Sequence, residues 1–173
     1  NSLCRCRSIH ACMEACAVCQ HVPEYSWWIA NGDCDNALAT ILARNPLPGC
    51  AGYACTRLCQ TRCVRNDYEE SVAIRALKRY AEENGSLQAL VASKKVGRKV
   101  AVIGSGPAGW SAAFHLALSG VEVDIHEAKD VIGGMTRLVP VFRLPWEVVQ
   151  RDTDRIAALG VNLKLNSKIT GAP

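Results

Sequence analysis

All ten cysteines of this 173-residue chain fall at or before Cys63. The densest run is Cys50-Ala-Gly-Tyr-Ala-Cys55-Thr-Arg-Leu-Cys59-Gln-Thr-Arg-Cys63, in which the last three are spaced C-x3-C-x3-C. Such a density reads as disulfides in an oxidising compartment and as metal ligands in a reducing one. The second half of the chain carries a nucleotide-binding pattern, and such segments are mostly intracellular, so metal is the expected answer. Cys4, Cys6, Cys12, Cys16 and Cys19 crowd the first 21 residues, which have no clear helical or strand period. That is the pattern of a segment whose ligands replace a core. Cys12 and Cys16 are four apart and can share one helical turn.

Helices fill the rest of the first half. Val22-Pro23-Glu24 opens one, with proline in the first turn, and Tyr25, Trp28 and Ile29 repeat at helical spacing before Gly32. Asp33 is placed to cap a second, with Ala37, Leu38, Ile41 and Leu42 as its apolar face. Asn45-Pro-Leu-Pro-Gly49 stops it. After the cysteine run, 72–83 reads as an amphipathic helix with Val72, Leu77, Tyr80 and Ala81 inward and Arg75, Lys78, Arg79 and Glu82 outward. Residues 87–99 form a basic connector. The net charge of +4 is scattered rather than clustered, which argues against nucleic acid. Residues 100–121 carry no Asp, Glu, Lys or Arg, yet glycines, a proline and His115 interrupt them, so no membrane span is expected. No signal peptide is read at the start.

Lys99-Val-Ala-Val-Ile103 is a short strand signal, and Gly104-Ser105-Gly106-Pro107-Ala108-Gly109 follows at once. A helix through Trp110, Ala113, Phe114, Ala117 and Leu118 leads to a second strand at 121–125 and then to Glu127. In this strand–turn–helix–strand context the glycines form a dinucleotide fingerprint. Gly104 permits the tight turn, Gly106 lets backbone approach a pyrophosphate, and Gly109 lets helix and strand pack closely. The helix N-terminus offers N–H groups to the phosphates, and Glu127 is placed to accept hydrogen bonds from an adenosine ribose. Gly133-Gly134 follows, then a turn with Arg143, which on local features is either a surface charge or a cofactor contact. A helix over 147–159 and a strand over 161–169 complete the pattern.

These motifs in this order resemble the glutamate synthase small (beta) subunit family, which includes the N-terminal region of dihydropyrimidine dehydrogenase. The residues that carry the likeness are Cys12-x3-Cys16, Val22-Pro-Glu-Tyr25, Asn31-Gly-Asp33, Asn45-Pro-Leu-Pro48 and Gly52-Tyr-Ala-Cys55-x3-Cys59-x3-Cys63. They continue with Val72 to Arg79, Gly104 to Gly109, Glu127, Gly133-Gly134 and Phe142-Arg-Leu-Pro145. The resemblance implies an α-helical domain binding two 4Fe-4S clusters over residues 1–92. A partial α/β, Rossmann-like, FAD-binding domain would follow over residues 93–173. One cluster would take Cys12 and Cys63 with Cys4 and Cys6; the other would take Cys16, Cys55 and Cys59. FAD would lie on Gly104 to Gly109, with Glu127 on its ribose and Gly134 and Arg143 beside it. NAD(P)H would bind in a region absent from this chain.

The chain departs from that pattern in places. Cys4 and Cys6 are spaced C-x-C where the family has C-x2-C, and Cys16 is followed by Ala where the family has Pro. The loop from Gly134 to Phe142 is one residue short. Lys78 stands where some members supply a Gln or Glu ligand, and an ammonium has no lone pair to offer a metal. Cys50 and Cys19 are the spare thiols for that eighth position, whereas Cys34 is expected to be a packed thiol. The functional expectation is a cytoplasmic electron-transfer subunit or fragment of an NAD(P)H-dependent FAD/iron–sulfur oxidoreductase. It would pass electrons between flavin and clusters to a larger catalytic subunit, and another chain would complete the FAD domain unless the chain is a fragment. Two other readings stand beside it. In one, clusters or zinc only hold the helices together and the chain is a docking module; in the other, NAD rather than FAD occupies Gly104 to Gly109. No side chain is assigned as a catalytic acid or base.

Overall fold

The computed structural model describes residues 10–86 and 92–171; Cys4 and Cys6 lie outside these. The chain divides into two compact units, Asn1–Leu87 and Gln88–Pro173.

The first unit is helical. Its elements are α1 (Ala11–Glu14), α2 (Val22–Ala30), α3 (Cys34–Leu42), α4 (Pro48–Ala54), α5 (Leu58–Thr61), a 3-10 turn (Val64–Asp67) and α6 (Ile74–Asn84). The Asp33 carboxylate accepts from the Asn36 backbone N–H at 2.9 Å and so caps α3, satisfying one of the donors a helix start leaves open. Ala37, Leu38, Ile41 and Leu42 are all buried. A core of Val22, Tyr25, Ala37, Ile41, Ile74 and Ala81 also takes in Cys12 and Cys59. Burial of each large apolar side chain contributes roughly 1.5–3 kcal/mol.

Two expectations for this unit need correction. Glu14 ends α1, so Cys16 lies beyond the helix that holds Cys12 rather than one turn along it. On α6 the buried residues are Ile74, Lys78, Ala81 and Glu82, while Tyr80 is 49% exposed. The inward stripe is therefore rotated from the one the apolar residues alone suggest, and it carries two charged side chains. Lys78 lines a cavity shared with α4, and α6 approaches α4 closely at Gly52, where a Cβ would lie 3.1 Å from both Cα and Cβ of Arg79.

The second unit is built on a parallel sheet in the order β1 (Lys99–Ile103), β2 (Glu122–His126), β3 (Asn162–Lys164). Helix α7 (Pro107–Leu118) links β1 to β2, and α8 (Trp146–Ala157) links β2 to β3. Lys99 pairs with Glu122 and Ile103 with His126. Asp124, at the centre of β2, accepts from Lys164 at 2.6 Å and from Asn162 at 3.1 Å on β3. It also sits 3.3 Å from the Lys99 ammonium on β1. These partners, Lys164 first, hold the Asp124 carboxyl far below the usual carboxylate range. β3 is much shorter than the expected 161–169 strand. The backbone turns at Asn166 (φ 52°), and the N–H groups of Asn166 and Ser167 bond to the carbonyls of Lys129 and Glu127. Loop pairing thus replaces ladder pairing. Among the described residues, no helix is long and apolar enough to cross a membrane.

Candidate cluster cavity and nucleotide cradle

In the helical unit a cavity of about 440 Å³ opens between Cys16, the α4 face of Leu47, Cys50, Ala51 and Ala54, then Cys55, Cys59 on α5 and Lys78 on α6. Pro48 starts α4, where its missing N–H costs nothing because first-turn donors lack helical acceptors. Cys55, in extended backbone, ends α4. Arg57, left-handed at φ 65°, then redirects the chain into α5. The Arg75 guanidinium donates to the Cys55 carbonyl at 3.1 Å, and the Arg75 N–H to the Gln60 side chain at 3.3 Å. The cysteine run is thereby tied to the start of α6.

Burial pushes the Cys59 thiol up, and Cys55 and Cys16 push it further, while Lys78 acts the other way. Three thiols and one cation therefore interact across this space. Thiolate, not thiol, is the metal-ligating form, and a bound metal supplies the positive charge that would reverse that rise. Among the described residues, no three His, Cys, Asp or Glu side chains converge as they would around a single ion. Thiols spread around a roomy, largely apolar cavity suit a bulky cluster whose metals sit at separate corners.

Cys50 lines this cavity and Cys19 does not; Cys19 is exposed. Cys34 begins α3 and also lies outside the lining. Cys12, buried in the core, and Cys63, at the start of the 3-10 turn, are not part of the lining either. None of the eight described cysteines is in a disulfide. Sequence reasoning gave Tyr25 no role beyond the helical repeat and the family motif; it is fully buried, and among the described residues its hydroxyl has no hydrogen-bond partner. Burial, followed by Cys59, Cys12, Cys16 and Cys55, pushes this hydroxyl far above its ordinary value, so it stays protonated. The only signal in the sequence was a tyrosine, rather than a phenylalanine, at a core position among cysteines.

In the second unit, β1 runs into Gly104 at φ +94°, whose N–H donates to the His126 carbonyl at 2.8 Å. Gly106 precedes Pro107 and the rest of α7, with Ala108 in the first turn. A Cβ on Gly109 would lie 2.0 Å from the Gly104 carbonyl oxygen, so only glycine lets the helix sit this close to the loop. Ser105 is fully buried; its N–H and its hydroxyl both donate to Glu127 Oε2, at 2.8 and 2.6 Å. Glu127 Oε1 accepts from the Lys129 N–H at 3.0 Å. These bonds, the Ser105 hydroxyl first, hold the Glu127 carboxyl below its ordinary value.

The Gly133 N–H donates to the Ser105 carbonyl at 3.0 Å, and a Cβ on Gly134 would lie 2.9 Å from the Gly106 Cα. Gly104 to Gly109, Glu127 and Gly134 are thus assembled into one cradle. Arg143 stands on an exposed turn beyond it. The Ser105–Glu127 tie was not anticipated; a hydroxyl inside a glycine loop opposite a strand-end acid is the signal that could have found it.

Comparison with known proteins gives two family-model matches. The first, dihydropyrimidine dehydrogenase domain II, 4Fe-4S cluster, covers residues 2–89. The second, NAD(P)-binding Rossmann-like domain, covers residues 102–149. Among similar proteins, YgfK of Escherichia coli K12 is 38% identical over 159 residues, 88% of this chain and 15% of its own length. The NADP(+)-dependent formate dehydrogenase subunit beta of Moorella thermoacetica is 34% identical over 184 residues, 91% of this chain and 26% of its own. The NAD-dependent dihydropyrimidine dehydrogenase subunit PreT of Salmonella typhimurium is 32% identical over 176 residues, 97% of this chain and 43% of its own. The chain therefore spans less than half the length of these relatives.

Proposed function

The chain belongs to the dihydropyrimidine dehydrogenase domain II, 4Fe-4S cluster family, and we propose that it is the electron-transfer portion of an NAD(P)H-linked FAD/iron–sulfur oxidoreductase. The observation that carries this reading is the cavity that gathers Cys16, Cys50, Cys55 and Cys59 in a unit followed directly by a glycine-loop cradle. In this reading Cys16, Cys55 and Cys59 ligate one 4Fe-4S cluster and Cys50 is its fourth ligand, since Lys78 has no lone pair to give. Cys12 and Cys63 serve a second cluster with Cys4 and Cys6. The Lys78 ammonium lies beside the first cluster as a buried counter-charge, which favours its more reduced, more negative state.

In the cradle, Gly104 to Gly109 and the start of α7 receive a dinucleotide pyrophosphate. Glu127 holds the loop through Ser105 and, with its remaining lone pairs, faces the adenosine ribose. Gly134 closes one side, and Arg143 becomes a contact only when the exposed turn meets the cofactor. Bound flavin would exchange two electrons with a nicotinamide and single electrons with a cluster. The protein's part is to fix distance, exclude water and set charge. Named relatives that are subunits of formate and dihydropyrimidine dehydrogenases support a partner catalytic subunit, and in this reading the complex works in the cytoplasm. The names of the same relatives support a nicotinamide cofactor, which in this reading binds in a region outside this chain.

A second reading, NAD itself on the cradle, is favoured by the description of the family model over residues 102–149. Anaerobic purification decides between these readings. We expect a broad absorption band near 400 nm that bleaches on dithionite, about eight iron atoms per chain for two 4Fe-4S clusters, and FAD on acid release. Colourless, zinc-loaded protein overturns the redox reading, and released NAD overturns the flavin assignment.

A further inference from the structure

Tyr25 presents a problem that packing alone does not solve. Its ring is in the core of the helical unit, none of its surface reaches solvent, and among the described residues its hydroxyl has no hydrogen-bond partner. A buried hydroxyl left without a partner costs about 1–3 kcal/mol, and a phenylalanine would fill the same space without that cost. Two sulfurs, those of Cys12 and Cys59, belong to the same core cluster as the ring, and after burial itself it is the thiols of Cys59, Cys12, Cys16 and Cys55, in that order, that bear on the hydroxyl's ionisation. Three of these four line the cavity.

We propose that the Tyr25 hydroxyl donates a hydrogen bond to a thiolate or sulfide of the cluster held by Cys16, Cys55 and Cys59, and so raises that cluster's reduction potential. This rests on the iron–sulfur reading above. The physical reason is charge. Each added electron makes the sulfurs more negative, so a fixed donor aimed at them stabilises the reduced form more than the oxidised one. Tyr25 is a positioning residue in this account: it ligates nothing and transfers no proton. The same bond gives the orphaned hydroxyl its acceptor, so the cluster and the tyrosine complete each other.

The test is Tyr25→Phe in the loaded chain, read by iron content and by an EPR-monitored redox titration, with the two couples assigned from Cys59→Ala and Cys63→Ala. We expect full iron content. The couple lost in Cys59→Ala should shift about tenfold toward the oxidised form at fixed potential, about 59 mV downward for one electron. The couple lost in Cys63→Ala should stay within error. An unmoved Cys59-dependent couple overturns the proposal, as does a shift in the other couple alone.

Should the variant lose iron, the wild-type protein still decides. Its iron–sulfur stretching bands in resonance Raman must shift on exchange into D₂O if a hydroxyl bonds to sulfur, and bands that do not move overturn the proposal. Failure of the wild type to bind iron at all would sink the functional reading instead, so the two failures are distinguishable.

Discussion

The two units treat their buried polar groups in opposite ways. Of the five buried side-chain polar atoms without a partner among the described residues, four belong to the helical unit: Gln20 Oε1, Tyr25 Oη, Ser26 Oγ and Arg65 Nε. The sheet unit contributes only Trp110 Nε1, and its cradle settles its own needs, with Ser105 donating twice to Glu127. The helical unit also carries, beside its core, an open cavity lined in part by thiols. A site finished by its ligand and a site finished by its own side chains differ in what ligand removal does. In the first, binding free energy is folding free energy; in the second, binding adds to a scaffold that already stands.

The largest expected effect follows from that contrast. Stripping iron with a chelator under reducing conditions should unfold the helical unit and leave the sheet unit folded. Hydrogen exchange read peptide by peptide checks it: amides of α2, α3 and α6 should lose their protection, while those of β1, β2 and α7 keep theirs. If both units lose protection together, the contrast is wrong. If neither does, the packing of Tyr25, Ala37, Ile41 and Ala81 suffices without a metal.

The next effect runs in the other direction. Gly109→Ala places a Cβ 2.0 Å from the Gly104 carbonyl oxygen, and backbone on both sides leaves little to yield. Overpacking of this kind costs about 3 kcal/mol, at the upper end of its usual range. Urea unfolding of the sheet unit should report the loss, with nucleotide binding falling and iron content in the helical unit unchanged. A variant with wild-type stability would show that α7 can slide away from the loop, and that the cradle is less fixed than its hydrogen bonds imply.

How much of this was legible in the sequence divides along the same line. The cap at Asp33, the apolar face of α3 and the strand–loop–helix around Gly104 follow from local rules, and the structure has them. The inward face of α6 was not legible, because Lys78 and Glu82 are charged, and their burial comes from packing against helices distant in sequence. The gathering of Cys16, Cys50, Cys55 and Cys59 was partly legible from spacing and resemblance. The separation of Cys50 from Cys19 needed three dimensions: one lies on the cavity face of a helix, and the other sits exposed at φ 46°. The length of β3 failed for a related reason, since hydrogen bonds from Asn166 and Ser167 to a distant loop end the strand. No window of sequence contains both partners of such a bond.

The smallest effect concerns acid, and it again separates the units. Asp124 joins the three strands through Lys164, Asn162 and Lys99, and its carboxyl is held far below the ordinary value. A carboxyl depressed in the folded state contributes stability that is fully present above its unfolded pKa, about 4, and is lost as pH falls below that value. Glu127, also depressed, adds to the loss in the same direction, because protonation replaces the charged acceptor of both Ser105 donors with a weaker neutral one. The sheet unit should therefore weaken progressively below about pH 4, while remaining flat between pH 5 and 8 on account of these two groups. Asp124→Asn should lower stability at neutral pH and flatten the acid limb, because no proton remains to be taken up there. Thermal melts of the sheet unit between pH 3 and 7 check this. An acid limb as steep in the variant as in the wild type would move the acid sensitivity away from the strand ties and onto Glu127 and the loop it holds.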